Sequence, residues 1–323
     1  MLGTRAIVSP LATGNTVVFK GSELSPRVMK ALASVFHEAG LPDGVLNFIT
    51  TNSSNAAAVT NAIISHPRVK KINFTGSTNV GRIIAKLAAE YLKPAVLELG
   101  GKAPAIVWKD ADLDLAAGEC AKGAFFFSGQ ICMSTERILI HKDVSSQFRQ
   151  KLLASIDAMF PSERGELVLI NEQAVAKSKH LLQDAVGKGA VLLRGTLDNN
   201  KEASSTRLRP SVVDHVKLDM DIYKIESFGP LVSLIDVNTE EEALRIANDT
   251  EYGLTSAIFT EDLRTGFRFA NGIESGASHI NHMTIHDDSV LPHGGVKSSG
   301  YGRFNGTVGL EEWLWTKSIT WKN

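Results

Sequence analysis

Cys132, in the run FFFSGQICMSTER, is the residue best suited to nucleophilic chemistry, because a thiolate in a small polar break between a helix and a strand can reach a substrate. A free cysteine is more often a small buried hydrophobe, and Cys120, inside the helical pattern DLAAGECAKGAFFF, keeps that reading. Two glutamates stand in glycine-containing runs on either side of Cys132: Glu98 in LELGGK and Glu226 in ESFGP. A carboxylate at the end of a buried strand lies where open α/β sheets present catalytic groups, and a solvated loop glutamate is the competing reading of Glu98.

Other runs suit a phosphate-bearing cofactor. FTGSTNVG (74 to 81) joins a strand to a helix, and its glycines, Gly76 and Gly81, would let the backbone come close to a phosphate at a helix N-terminus. It is neither a Walker A loop nor a GxGxxG fingerprint, so an ordinary strand-to-helix turn is the competing reading. Lys20 and Glu23 follow the first strand, where an acidic side chain can bond a ribose hydroxyl and repel a 2'-phosphate, favouring NAD over NADP. A solvated charge pair is the alternative. His279, His282 and His286, with Asp287 and Asp288 behind them, lack cysteine support for a metal site, and no metal is expected.

These residues need a scaffold of alternating strands and helices. TVVFK (16 to 20), VLNFIT (45 to 50), KINFT (71 to 75) and AVLEL (95 to 99) are predicted as buried strands separated by helical stretches, a doubly wound α/β pattern. Ser25 and Pro26 open a helix whose apolar stripe is Val28, Ala31, Leu32, Val35, Phe36 and Ala39. A second α/β unit follows, with strands AIVW and RILIH, so a domain boundary falls near residue 100. Phe125, Phe126 and Phe127 suit either an aromatic pocket or core packing. The tail LEEWLWTKSITWKN looks strand-like, and its edge would need a partner strand from this chain or another, which points to a homo-oligomer.

The 323 residues carry 34 basic and 35 acidic side chains, so no global field draws the chain to nucleic acid or an anionic membrane. Two cysteines, no apolar run long enough to span a bilayer and no signal-peptide pattern at the start fit a soluble globular protein in a reducing, cytoplasmic setting. The expected partner is a small molecule.

Taken in order, FTGSTNVG, LELGGKAP, SGQICMS, ESFGP, NDTEYGL and PHGGVKSSGYGR resemble the aldehyde dehydrogenase superfamily over the length of the chain. INHMTIHDD before PHGG is most similar to the salicylaldehyde, benzaldehyde and vanillin dehydrogenase branch. The resemblance implies a partial, doubly wound NAD-binding domain over 1–99 and an α/β catalytic domain over 100–293. It also implies a return to the cofactor domain over 294–323, ending in an oligomerisation strand. Cys132 then becomes the nucleophile that captures an aldehyde and carries it to a thioester, and Glu98 the general base that activates the hydrolytic water. Lys20 and Glu23 match residues at the adenosine ribose, Ser77 one at the pyrophosphate, Glu226 the residue gripping the nicotinamide ribose, and Phe228 one packing near the ring.

Gly21 and His293 stand where family members often carry Pro and Phe, small departures that look tolerable. The resemblance also implies a segment upstream of the run beginning at Met1, containing an asparagine that completes the oxyanion hole. This sequence does not contain it, and losing one such donor costs about a hundredfold to a thousandfold in turnover. The expectation is therefore a truncated aldehyde dehydrogenase, with a catalytically impaired remnant or interaction subunit as the alternative. A CoA-acylating enzyme, in which a thiol releases the acyl group, is disfavoured by Glu98.

Overall fold

The computed structural model describes residues 2–161, 166–197 and 206–323; Met1, with which the family-like run begins, lies outside them. The chain divides into two compact units. The smaller takes the chain up to Glu98 together with Asp287–Gly294 and Gly300–Asn323, and the larger takes Leu99–His286 and Gly295–Ser299.

The smaller unit begins α1 (Leu2–Ala12), β1 (Val17–Lys20), α2 (Pro26–Glu38), β2 (Leu46–Ile49), α3 (Ala56–Ser65), β3 (Ile72–Thr75), α4 (Thr78–Glu90) and β4 (Ala95–Glu98). The predicted strands form within a residue or two of their expected bounds. Parallel pairing joins β1 to β2 and, in a separate sheet, β3 to β4. Alternation along the chain therefore does not produce one continuous sheet among these strands.

Helix α2 starts at Pro26 as expected and stops before Gly40, whose φ of +92° suits a residue without a Cβ. Its apolar stripe is only half used. Leu32 and Phe36 pack with Ala33 around Ile7 and Leu46, whereas Val28 and Val35 are 66% and 61% exposed. Helical periodicity shows that a face is apolar; the neighbours decide how much of it is covered.

The larger unit runs β5 (Ala103–Val107), α5 (Leu113–Phe125), β6 (Thr135–His141), α6 (Ser145–Met159), β7 (Leu167–Val168), α7 (Glu172–Gly187) and β8 (Val191–Arg194). It continues β9 (Arg207–Leu208), β10 (Ser211–Asp214), α8 (Asp221–Lys224), β11 (Leu231–Val237), α9 (Glu240–Asn248), β12 (Thr255–Phe259), α10 (Leu263–Gly272) and β13 (Ala277–Ile280). Seven of these strands make one sheet in the order β13-β12-β5-β6-β11-β10-β8, parallel except for β8 against β10. Every residue of β5, β6, β10 and β12 is buried, as expected for parallel strands covered on both faces. One apolar cluster includes Leu139, Leu182 and Phe269, and another includes Cys120, Phe125, Ile138 and Phe148. Cys120 is thus a core residue, with burial holding its thiol far above the ordinary range.

The chain finishes in the smaller unit with β14 (Gly300–Tyr301), antiparallel to β4, and α11 (Gly306–Glu311). The strand expected in the tail does not form within this chain: residues 314–323 hold no regular element, and Trp315, Ile319 and Trp321 are exposed. Extended backbone becomes a strand only by pairing, and none of the described strands pairs with the tail. No helix among the described residues is long and apolar enough to cross a membrane.

Candidate active site

In the larger unit the motif loops meet at one edge of the sheet. β5, β6 and β11 are adjacent and parallel, and each is entered from a motif: Gly100–Gly101 before β5, Cys132 before β6, and Glu226–Phe228 before β11. Residues distant along the chain are therefore gathered at the amino edge of the sheet. The rule that looks to the carboxyl ends of strands describes Glu98, the last residue of β4, but not Cys132 or Glu226.

Close backbone approach explains the glycines. A Cβ on Gly101 would lie 2.2 Å from the carbonyl oxygen of Cys132, so any side chain there would displace the cysteine loop. Gly129 has a φ of +69°, and a Cβ on it would lie 2.2 Å from the carbonyl of Gly229, so GQIC packs directly on ESFGP. Phe127 and Ser128, just before it, adopt left-handed φ values of +50° and +64°, strain that a surrounding structure has to hold. The Gln130 side chain supplies part of that hold: it donates to the carbonyls of Phe127 and Val168 and accepts from the Ile170 N–H.

Cys132 sits in a turn and is partly exposed. The next residue is tied down, since Thr284 Oγ1 donates to the Met133 carbonyl at 2.6 Å and lies 2.8 Å from Thr135 Oγ1. Of the three phenylalanines upstream, Phe125 is core, whereas Phe126 is partly exposed and Phe127 80% exposed. His286 contacts both His279 and His282 ring to ring, and among the described residues no His/Cys/Asp/Glu group could hold a metal ion.

Glu226 is half-buried, and its Oε1 accepts the Gly101 N–H at 2.8 Å. Burial, reinforced by the nearby negative charge of Glu136, pushes its carboxyl up to about 7 despite the Gly101 bond and the charges of Lys177 and Lys102. Phe228 follows with φ +48°. Sequence reasoning missed Glu136 and Lys102, whose buried ion pair at 2.5 Å lies under this loop. Strand alternation in β6 is the available signal, but a fully buried strand conceals it.

In the smaller unit Glu98 is completely buried, so it is not the solvated loop residue considered above. Arg5 Nη2 donates to its Oε2 at 2.6 Å, and His293 Nε2 lies 3.8 Å from Oε1. Arg5 also bonds Asp287 Oδ2 at 2.9 Å, whose other oxygen accepts from Asn305. Nothing local in the sequence links Arg5 to Glu98, because α1 and β4 lie far apart along the chain.

The cofactor candidates of this unit fall into two groups. Gly76 and Ser77 are exposed at the N-terminus of α4, where Ser77 Oγ accepts the Val80 N–H at 3.4 Å. Gly81 lies inside that helix, buried, with its N–H bonded to the Ser77 carbonyl at 2.8 Å, so it serves helix packing rather than direct phosphate contact. Lys20 and Glu23 form an ion pair at the end of β1. Desolvation, the largest single influence, raises the Glu23 carboxyl, but the hydrogen bond and charge of Lys20 together with a backbone hydrogen bond outweigh it and leave the group below its ordinary value.

The larger unit thus presents a turn cysteine and a raised carboxyl at the amino edge of a parallel sheet, and the smaller unit holds a fully buried glutamate. The model of the aldehyde dehydrogenase family matches residues 1–319, and the chain belongs to that family. It is 44% identical to vanillin dehydrogenase of Pseudomonas fluorescens, over all of this chain and 67% of that one. A crystal structure of salicylaldehyde dehydrogenase from Pseudomonas putida G7, complexed with salicylaldehyde, superposes with a TM-score of 0.92 at 40% identity, covering 96% of this chain and 64% of that one. A Mycobacterium tuberculosis aldehyde dehydrogenase complexed with NAD+ gives 0.88 at 33% identity, covering 97% and 64%. The chain thus spans about two thirds of the length of these relatives.

Proposed function

We propose that this chain carries the machinery for NAD-dependent oxidation of an aromatic aldehyde to its carboxylic acid, with Cys132 as nucleophile. The observation that carries the reading is the convergence of Gly101, Cys132, Gly129, Glu226 and Gly229 at one sheet edge, each approach requiring a glycine or a bonded carboxylate. The aromatic preference is supported by the vanillin and salicylaldehyde dehydrogenases among the relatives.

Cys132, as the thiolate, adds to the aldehyde carbonyl carbon to give a hemithioacetal. A nicotinamide dinucleotide, when bound, accepts the hydride that the oxidation releases. The acyl group is then held on Cys132 as a thioester. Glu98 takes a proton from water, whose oxygen attacks the thioester, and the acid leaves as the thiolate is restored. Arg5 orients the Glu98 carboxylate for that step.

The dinucleotide fits the residues present. The exposed N-terminus of α4 at Gly76 and Ser77 suits the pyrophosphate, and the carboxylate of Glu23 beside Lys20 suits a ribose diol while disfavouring the 2'-phosphate of NADP. Glu226 serves the nicotinamide-side ribose and Phe228 packs near its ring. Homo-oligomerisation through the exposed Trp-rich tail completes the reading.

A panel of aromatic and aliphatic aldehydes, assayed by NADH absorbance, tests it. Cys132→Ala should abolish turnover, and Glu98→Gln should accumulate an acyl-enzyme thioester visible as a mass increase on Cys132. Absence of turnover and of adducts with every aldehyde would overturn the reading and leave a fold that does not oxidise.

A further inference from the structure

We propose that Glu136 and Lys102 are a positioning pair for the 226–228 loop, holding Glu226 and Phe228 in the geometry that receives the nicotinamide-side ribose; this rests on the ribose-gripping reading of Glu226. Glu136 is the second residue of β6 and is buried. Its Oε1 accepts the successive N–H groups of Ser227 and Phe228, at 2.9 and 3.1 Å. Its Oε2 accepts from Ser227 Oγ at 2.7 Å and from Lys102 Nζ at 2.5 Å. One carboxylate therefore fixes two consecutive peptide planes, those that follow Glu226 in the chain.

The loop needs such an anchor. Phe228 lies at φ +48°, a conformation that costs a bulky L-residue roughly 1–2 kcal/mol and persists only where the surroundings over-determine it. Charge-assisted bonds donated by the Ser227 and Phe228 N–H groups to a buried carboxylate meet that requirement. Lys102 makes the anchor tenable: its side chain is fully buried, and it neutralises Glu136 where an unpaired carboxylate would be costly. A buried ion pair is seldom the most stabilising filling of a core, so geometry is the better account of its presence. Lys102 immediately follows Gly101, the donor to Glu226, so a single pair braces both the carboxylate's hydrogen-bond partner and the loop that carries it.

Titration calorimetry with NAD+ and with ADP, which lacks the second ribose, separates positioning from bulk stability. The full chain is compared with Lys102→Met/Glu136→Gln, Ser227→Ala and Glu226→Ala. The double variant removes both charges together, and Ser227→Ala removes only one donor to Glu136. The expected result is a NAD+ dissociation constant raised about tenfold or more in the double variant and about threefold in Ser227→Ala, with ADP affinity within about twofold of the original chain. A folded double variant with an unchanged NAD+ to ADP ratio overturns the proposal, leaving the pair a core feature. Should the double variant not fold, Ser227→Ala decides by the same ratio. Glu226→Ala tests the underlying reading independently. If it weakens NAD+ alone while the other variants do not, the reading stands and the positioning role falls. If it binds NAD+ unchanged, or if the original chain binds no NAD+, both fall.

Discussion

Strand β6 of the larger unit is buried at all its positions, whereas β1 of the smaller unit has none that is fully buried. Both are short parallel strands, and the buried β6 carries the more polar sequence, so the difference lies in what covers them. The larger unit's central strands have apolar clusters on both faces of the sheet, and it presents Cys132 and Glu226 on loops entering them. The smaller unit leaves Val18, Leu24, Val28 and Val35 exposed around a two-stranded pair. The lesson is that β-rich sequence specifies a strand, while a parallel sheet becomes a rigid platform only once both faces are filled.

The largest effect expected from this contrast is in the core. Phe148→Ala, at a fully buried position of α6, should cost about 3–5 kcal/mol, and Phe19→Ala, whose ring is half-buried against Phe48, about 1–2 kcal/mol. Urea unfolding monitored separately in the two units would measure both, and equal costs would break the comparison. Hydrogen exchange sharpens it: amides of β6 and β11 should be protected about a hundredfold more than those of β1 and β2.

Glu226 supplies an intermediate effect with a definite sign. Its folded-state value of about 7 lies above the ordinary 4.5, so between those pH values the folded chain holds a proton that the unfolded chain has lost. Stability should therefore fall as pH rises from about 4.5 to 7 and level off above, by up to about 3 kcal/mol from this group. Glu226→Gln should flatten that slope in thermal melts, and an unchanged slope would remove the raised carboxyl from the account. NAD+ affinity should rise over the range around pH 7, because ribose hydroxyls donate to the ionised form. The smallest effect belongs to the open surface: Val28→Lys should shift stability by less than about 0.5 kcal/mol while lowering light scattering on heating.

Much of this was legible in advance. β1, β3 and β4 fall within a residue or two of the runs TVVFK, KINFT and AVLEL, because strand propensity and bounding turns are local properties. Ser77 was legible as the start of a helix for the same reason. The tail's Trp, Thr and Ile content signals strand propensity, but pairing needs a neighbour, and none of the described strands of this chain supplies one. Gly81 was misplaced as a phosphate contact because a glycine in a motif does not reveal whether its N–H is already used within a helix.

The sequence by itself determined the α/β class and the family, and it singled out Cys132, Glu98 and Glu226 as candidates for the chemistry, since residue type and order along the chain are sufficient for that. Only the tertiary structure decided that the motif loops meet at the amino edge of β5, β6 and β11, that Arg5 grips Glu98, and that Lys102 and Glu136 brace the Glu226 loop. The reason is strand order: the sheet β13-β12-β5-β6-β11-β10-β8 makes neighbours of segments over a hundred residues apart, and no local preference encodes which loops that order brings together.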